Sequence, residues 1–289
     1  MSDIVDRVDR WTTRLGVRPL AARVYWTWQG VRDRIRDVKY RKHRWRSETY
    51  RVSVGGTAAE FYVLTKQEFI DFERLKERPV LESLLRELRP DDVFYDLGAN
   101  IGLYTCLAAD VVDTTVVAFE PHPRNTDRLE GNASLNGADV SIHDCALAAS
   151  SGTAELRLAP GFDLGRLGSA GHSLLDYTDE ETGTVAVEKR VGDEFVEEAD
   201  LQPPTALKID VEGVEMEVLR GFESTLSRPD CRLVYCEIHE DRLESQGYSI
   251  SAVAEFLESC NFDVEQQVIE GYQPFLRAEK PAANTSPTR

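Results

Sequence analysis

Val93-Phe-Tyr-Asp96-Leu-Gly98-Ala99-Asn100-Ile-Gly102 is an apolar run that ends in an acid and passes into a glycine-rich turn. The run predicts a strand at 93–95, and the turn opens a helix from Ile101. Gly98 permits a turn that a Cβ would obstruct, and bare N–H groups at a helix start favour an anionic group. Outward from this stretch the alternation continues. Strands at 115–119, 140–144, 206–209 and 232–237 alternate with helices at 125–136, 214–226 and 250–259. That pattern predicts an α/β fold with a doubly wound, mostly parallel sheet. The strands at 262–268 and 272–277 are joined too tightly for a crossover helix, so they pair antiparallel at the sheet edge.

Upstream, a hairpin is expected from segments 50–54 and 60–64 around Gly55-Gly56, followed by a helix over 81–88. Between 144 and 206 lies a long insertion with strand-like 154–158 and 184–191 around a Gly-rich stretch at 160–171, expected to form a small hairpin near the mouth of the site. The 289 residues carry a net charge of −17, yet residues 1–50 hold 13 Lys/Arg against 6 Asp/Glu and all four tryptophans, Trp11, Trp26, Trp28 and Trp45. Leu20, Val24, Trp28, Val31, Ile35 and Val38 recur at helical spacing. Residues 1–48 therefore form a basic amphipathic extension, which either packs on the main domain or, through residues 1–45, meets an anionic membrane or acidic partner. The main domain spans 49–280, and 281–289 form a Pro/Ser/Thr-rich tail expected to be disordered.

Composition excludes several classes. A field of −17 repels phosphate backbones, so nucleic acid is a poor partner. No apolar run is long enough to span a bilayer, and the charged N-terminus lacks a signal-peptide core. Five cysteines without a C-x-x-C pair argue against a disulfide framework or zinc site and for the reducing cytoplasm. Seven lysines against 27 arginines, with acids in excess, suggest a halophilic protein that stays hydrated in concentrated salt.

Acids stand at three successive strand ends, which is the switch-point geometry of an open sheet. Asp96 precedes the glycine turn, where a pyrophosphate is disfavoured but the ammonium and sulfonium of S-adenosylmethionine are not. Asn100 and Leu103 stand where a dinucleotide fingerprint needs glycines. Glu120, before Pro121, suits the two ribose hydroxyls. Asp144 suits an adenine amine, with the backbone of Cys145 and Ala146 facing the ring. Further on, Lys208 and Asp210 share one side of a strand in Leu207-Lys208-Ile-Asp210-Val-Glu212-Gly213-Val-Glu215-Met-Glu217. Glu212 and Glu215 fall in the first helical turn, where acids also stabilise the dipole, and Glu217 reads as solvated. In Cys236-Glu237-Ile-His239-Glu240, Glu237 and His239 share a face, and His239 suits a general base. Asp210, Glu237 and His239 could also hold a divalent metal.

DLGANIG, FEPHPRN, LKIDVEGVEMEVLRG and EIHE, in that order, resemble the FkbM family of S-adenosylmethionine-dependent methyltransferases over residues 78–277. The resemblance implies a class I methyltransferase (Rossmann-like) fold of seven strands with the last antiparallel. It also implies O-methylation of a sugar, glycan or polyketide-like small molecule. It makes Asp96, Gly98, Asn100 and Gly102 the cofactor loop, Glu120 the ribose carboxylate and Asp144 the adenine contact, and lines the transfer site with Lys208, Asp210, Glu212 and Glu215. Asp210 or His239 would accept the acceptor's proton, with Lys208 holding the acceptor or its carboxylate. The acceptor could be a lipid-linked saccharide, modified at a hydroxyl or a uronic acid carboxyl. Two other readings use the same sheet: a nicotinamide-dependent oxidoreductase and a non-catalytic saccharide-binding module.

Overall fold

In the computed structural model, which describes residues 18–158, 172–175, 183–269 and 272–281 except the side chains of 18–27, 29 and 30, the run at 93–97 is an interior strand of the sheet. The described strands are β1 (Thr49–Val54), β2 (Thr57–Tyr62), β3 (Val93–Leu97), β4 (Thr115–Phe119), β5 (Val140–His143), β6 (Cys145–Ala148), β7 (Gly152–Arg157), β8 (Thr184–Val191), β9 (Ala206–Ile209), β10 (Leu233–Glu237), β11 (Asp263–Gln267) and β12 (Phe275–Glu279). Seven of them form one sheet in the order β11-β12-β10-β9-β3-β4-β5. From β5 to β10 every neighbouring pair is parallel, and β12 lies antiparallel between β10 and β11. This is the class I methyltransferase topology. Connections run one way from β3 and the other way from β9, so a crevice opens at the carboxyl ends of these two neighbours.

Strands β3, β9 and β10 are buried along their whole length because helices cover both faces, which is why they read as apolar runs broken only by Asp96, Lys208 and Glu237 toward the site. One core lies under the helices Lys66–Arg74, Arg78–Glu87 and Leu103–Ala108 and the β1–β2 hairpin, the other under Glu215–Gly221 and Ile250–Ser259. At the amino ends of the strands, Asp92 accepts from Arg232 and Thr205, tying β3, β9 and β10 together away from the crevice. The five thiols are all buried and unpaired.

The insertion departs from the expected hairpin. β7 and β8 do pair antiparallel, but β6 joins β8 in parallel to make a three-stranded sheet. The Gly-rich stretch 160–171 lies outside the described residues, as do residues 1–17 and 282–289. The helix expected at 214–226 is two, Glu215–Gly221 and Glu223–Ser227. Phe222 takes φ −114 between them and buries its ring. Gly221 at the break lies so close to β6 that a Cβ there would come within 2.3 Å of Ala148 O.

The basic helix is Arg18–Arg44. Its C-terminal part docks through Tyr40 and His43, whose rings contact Phe69, and through Arg44, which donates to Val63 O. Trp28, Val31, Ile35 and Val38 are exposed. That part of the apolar stripe does not pack on the domain in this structure, whereas the C-terminal part of the helix does. Among the described residues no helix is long and apolar enough to cross a membrane.

Candidate active site

Two cavities meet where β3, β4 and β9 end. The first is lined by the turn after β3 (Gly98, Asn100), by Glu120 and Asn125 after β4, by β6, and by Leu156 of β7. The turn is held by Gly98 N and Ala99 N, which both donate to Phe119 O. Gly98 has φ +79, and a Cβ there would sit 1.8 Å from Asp210 O, so this position admits only glycine. Asn100 follows in the left-handed region, φ +52, which asparagine tolerates.

Glu120 is buried at the end of β4, where its carboxylate accepts from Asn100 N (2.8 Å), His122 N (2.9 Å) and Asn125 Nδ2 (3.3 Å). Burial pushes its pKa up to about 7 against the lowering effect of those donors. The Oδ1 atoms of Asn100 and Asn125 are buried without a hydrogen-bond partner, and both residues line the cavity. Unpaired buried acceptors are costly, and a ligand carrying amine or hydroxyl donors satisfies them. Phe119, Leu147, Leu156 and Leu174 give the cavity apolar walls beside these polar atoms. His172 and Leu174 come from the insertion, which places that part of it at the site.

The other sequence-derived positions divide. Pro121, Cys145 and Ala146 line this cavity, Ala99 lines the second one, and Gly102 caps the helix Leu103–Ala108. Asp144 is exposed and absent from the cavity wall, because the chain turns there from β5 into β6. Asp96 is fully buried: it accepts from Thr105 Oγ1 (2.6 Å) and lies 3.3 Å from Lys208 Nζ, so it faces a lysine and not a ligand ammonium. Lys208 is likewise buried, between Asp96 and Asp210, and donates to Gly98 O at 3.1 Å. Burial opposes its charge, but Asp96 and Asp210 raise its pKa and keep it an ammonium. Its observed work is to fasten the Gly98 turn.

The second cavity, about 500 Å³, is lined by the Gly98–Ile101 turn, Lys208, Asp210, Tyr104, Tyr272 and residues of the 65–77 segment including Lys76 and Glu77. Gly98, Asn100 and Asp210 belong to both cavities. Glu77, beside this junction, is pushed up to about 7 by burial and by Asp210, with Lys208 opposing. Glu77, Tyr104 and Tyr272 carry no motif: Glu77 comes in at the start of the helix Arg78–Glu87, Tyr104 from the helix after the glycine turn and Tyr272 from the connection between β11 and β12.

Behind Asp210 lies a compact carboxylate cluster. Glu212 is outside the helix in which the sequence placed it, at φ +55 in the preceding turn, and its carboxylate pairs with Arg242. Arg242 is a further residue the sequence did not reveal. Glu215 is completely buried and accepts from His239 N and from His239 Nδ1 (2.8 Å). His239 Nε2 then faces Glu212 Oε2 at 3.0 Å, Glu237 Oε1 at 3.7 Å and Asp210 Oδ1 at 3.8 Å. Burial disfavours the imidazolium, but Glu215, Glu212 and Asp210 outweigh it and raise the His239 pKa. Burial and the neighbouring carboxylates raise Glu237 as well. Glu217 sits half-buried on its helix beside Arg220 and takes no part.

The methyltransferase FkbM domain model matches residues 96–264. The hexuronic acid methyltransferase AglP of Haloferax volcanii is 33% identical over 187 residues, which cover 64% of this chain and 72% of that protein. The 31-O-demethyl-FK506 methyltransferase FkbM of Streptomyces tacrolimicus is 31% identical over 219 residues, covering 67% and 82%. Among solved structures, precorrin-6y C5,15-methyltransferase from Geobacter metallireducens aligns with TM-score 0.44 at 14% identity over 71% of this chain and 89% of that one. The matched segment runs from the Asp96 turn to β11 and takes in the first cavity's wall, the junction at Gly98, Asn100 and Asp210 and the carboxylate cluster, but not the 65–77 wall of the second cavity, and the chain belongs to the FkbM family of methyltransferases.

Proposed function

We propose that the domain over residues 49–280 transfers a methyl group from S-adenosylmethionine, held in the first cavity, to an oxygen of a sugar or uronic acid held in the second. The observation that carries this reading is the meeting of the two cavities at Gly98, Asn100 and Asp210. S-adenosylmethionine supplies an electrophilic methyl on a sulfonium. Glu120 accepts from the ribose hydroxyls, Asn100 and Asn125 offer their free Oδ1 atoms to ligand donors, and the apolar wall takes the adenine. Asp210 lies at the junction and takes the proton of an acceptor hydroxyl. His239 lines neither cavity, and its Nδ1 is occupied by Glu215, so it supports Asp210 and does not replace it. The volume of the second cavity falls within the usual ~300–1,000 Å³ of small-molecule sites. Thr65, Gln67 and Asp71 offer it hydroxyl-bonding groups, and the exposed Lys76 offers a carboxylate partner. The resemblance to a hexuronic acid methyltransferase supports a uronic acid acceptor.

The test is S-adenosylhomocysteine release with glucuronides compared with the matching glucosides. Methylated glucuronide with a turnover well above the glucoside is expected, and S-adenosylhomocysteine release from neither sugar would exclude the acceptor class.

Glu120 gives this reading a pH signature. Its pKa near 7 in the free protein means that the carboxylate is lost as pH falls below 7. Only the ionised form accepts from both ribose hydroxyls at once, so binding favours the carboxylate and releases a proton in this range. Affinity for S-adenosylhomocysteine is expected to fall up to about tenfold per pH unit below 7 and to level off above it. Titration calorimetry in buffers of different ionisation enthalpy measures both the affinity and the released proton. A flat profile between pH 5.5 and 8 would remove Glu120 from the ribose.

A further inference from the structure

We propose that Asp210, Glu212 and His239, with Glu237 behind them, form a binding site for one divalent cation of the Mg²⁺/Mn²⁺ class beside the junction of the two cavities, where Asp210 lines both and Glu212 lines the first. One ligand atom from each of Asp210, Glu212 and His239 lies within 4.8 Å of the others. Adjacent ligands of an ion with bonds of ~2.1 Å are roughly 3.0 Å apart and opposite ones roughly 4.2 Å. His239 Nε2 stands 3.0, 3.7 and 3.8 Å from oxygens of Glu212, Glu237 and Asp210, all within that span.

Three further features point to a cation. The Nδ1 of His239 is tied to the buried Glu215, which fixes the ring and turns Nε2 toward the carboxylates, as an outer carboxylate does for a metal-ligating histidine. Glu237 is 3% exposed and faces this cluster, yet its Oε2 has no hydrogen-bond partner. Asp96, Asp210, Glu212, Glu215 and Glu237 bring five carboxyl groups together, against which the structure sets the ammonium of Lys208, the guanidinium of Arg242 and the imidazole of His239, and burial with crowding of the acids holds the Glu237 carboxyl toward its neutral form. Buried charge of one sign is expensive unless paired, and a divalent ion offsets two of those charges at once. Oxygen donors in the majority favour Mg²⁺ or Mn²⁺, and the single imidazole is compatible with Mn²⁺. The site's use in catalysis, holding the acceptor oxygen beside Asp210, rests on the methyl-transfer reading. Its existence does not.

The experiment is titration of the full chain with Mn²⁺, followed by the loss of the free-ion electron paramagnetic resonance signal, in molar KCl to screen the acidic surface. One ion per chain is expected. Glu212→Gln and Asp210→Asn should each weaken binding at least tenfold while keeping a cooperative thermal transition, and Glu217→Gln should leave it unchanged. Absence of uptake by the wild type, or equal uptake by all four proteins, overturns the site. S-adenosylhomocysteine is titrated separately into the same wild-type preparation. Specific Mn²⁺ uptake without nucleoside binding keeps the metal site and removes the methyl-donor reading, whereas nucleoside binding without Mn²⁺ uptake does the reverse.

Discussion

Gly98→Ala is expected to abolish measurable S-adenosylhomocysteine binding and to lower the melting temperature by roughly 10 °C. Two costs coincide at this position. A non-glycine residue at φ +79 is strained by about 1–2 kcal/mol. The added Cβ would also stand 1.8 Å from Asp210 O and 2.9 Å from Asp210 C, and backbone atoms cannot swing away as a side chain can. Relief requires β3 and β9 to part at their carboxyl ends, against the bond from Asp210 N to Leu97 O and the hold of Lys208 on Gly98 O. A total of about 3–5 kcal/mol follows, which for a domain of this size is roughly 10 °C. The same parting moves Asn100 away from Glu120, so binding fails even in the molecules that remain folded. Gly137→Ala is the control: its φ is also left-handed, +61, but nothing lies within 4 Å of the added carbon. It should cost about 1 kcal/mol and leave binding intact. Equal melting and binding for the two variants would show that the Gly98 turn is not the tight junction between the cavities.

The sheet was legible in the chain because a strand covered on both faces is mostly apolar, and β3, β4, β9 and β10 are, with Asp96, Lys208 and Glu237 the exceptions near their carboxyl ends. β6 was missed for a related reason. Cys145–Ala148 is four small or apolar residues without alternation, directly after β5, and only its pairing with β8 in another sheet makes it a strand of its own. Glu120, Asn100 and Gly98 were legible because each sits beside a turn whose geometry is local. The pairing of Asp96 with Lys208 is not legible because the two residues are not local to one another. Period-two alternation puts Lys208 and Asp210 on one side of a strand, but only the register of β3 on β9, which sets Asp96 opposite Lys208, shows that the lysine neutralises Asp96. Arg242 and Glu77 lie further beyond reach of sequence, since each enters the site from a helix or linker packed against the strand ends.

Asp210→Asn is expected to reduce kcat on a hydroxyl acceptor by about 10²–10⁴, the usual worth of a positioned general base, while S-adenosylhomocysteine affinity and acceptor KM change only a few-fold. The amide keeps the shape of the carboxylate and the backbone bond from Asp210 N to Leu97 O, and Asp96 still holds Lys208, so the cavities should keep their form. What the amide lacks is the ability to take a proton. Measurement at saturating Mn²⁺ separates this loss from weakened cation binding. The two possible acceptor chemistries then part. A hydroxyl must give up its proton as the new carbon–oxygen bond forms, whereas a uronic acid carboxylate is already ionised at neutral pH and has none to give. On a carboxylate acceptor the same substitution should therefore cost less than about tenfold, so the ratio of the two losses reports whether the protein makes ethers or esters. An unchanged kcat on a hydroxyl acceptor would take the proton-accepting role from Asp210 and leave Glu77, facing the same cavity with a pKa near 7, as the group positioned to hold it.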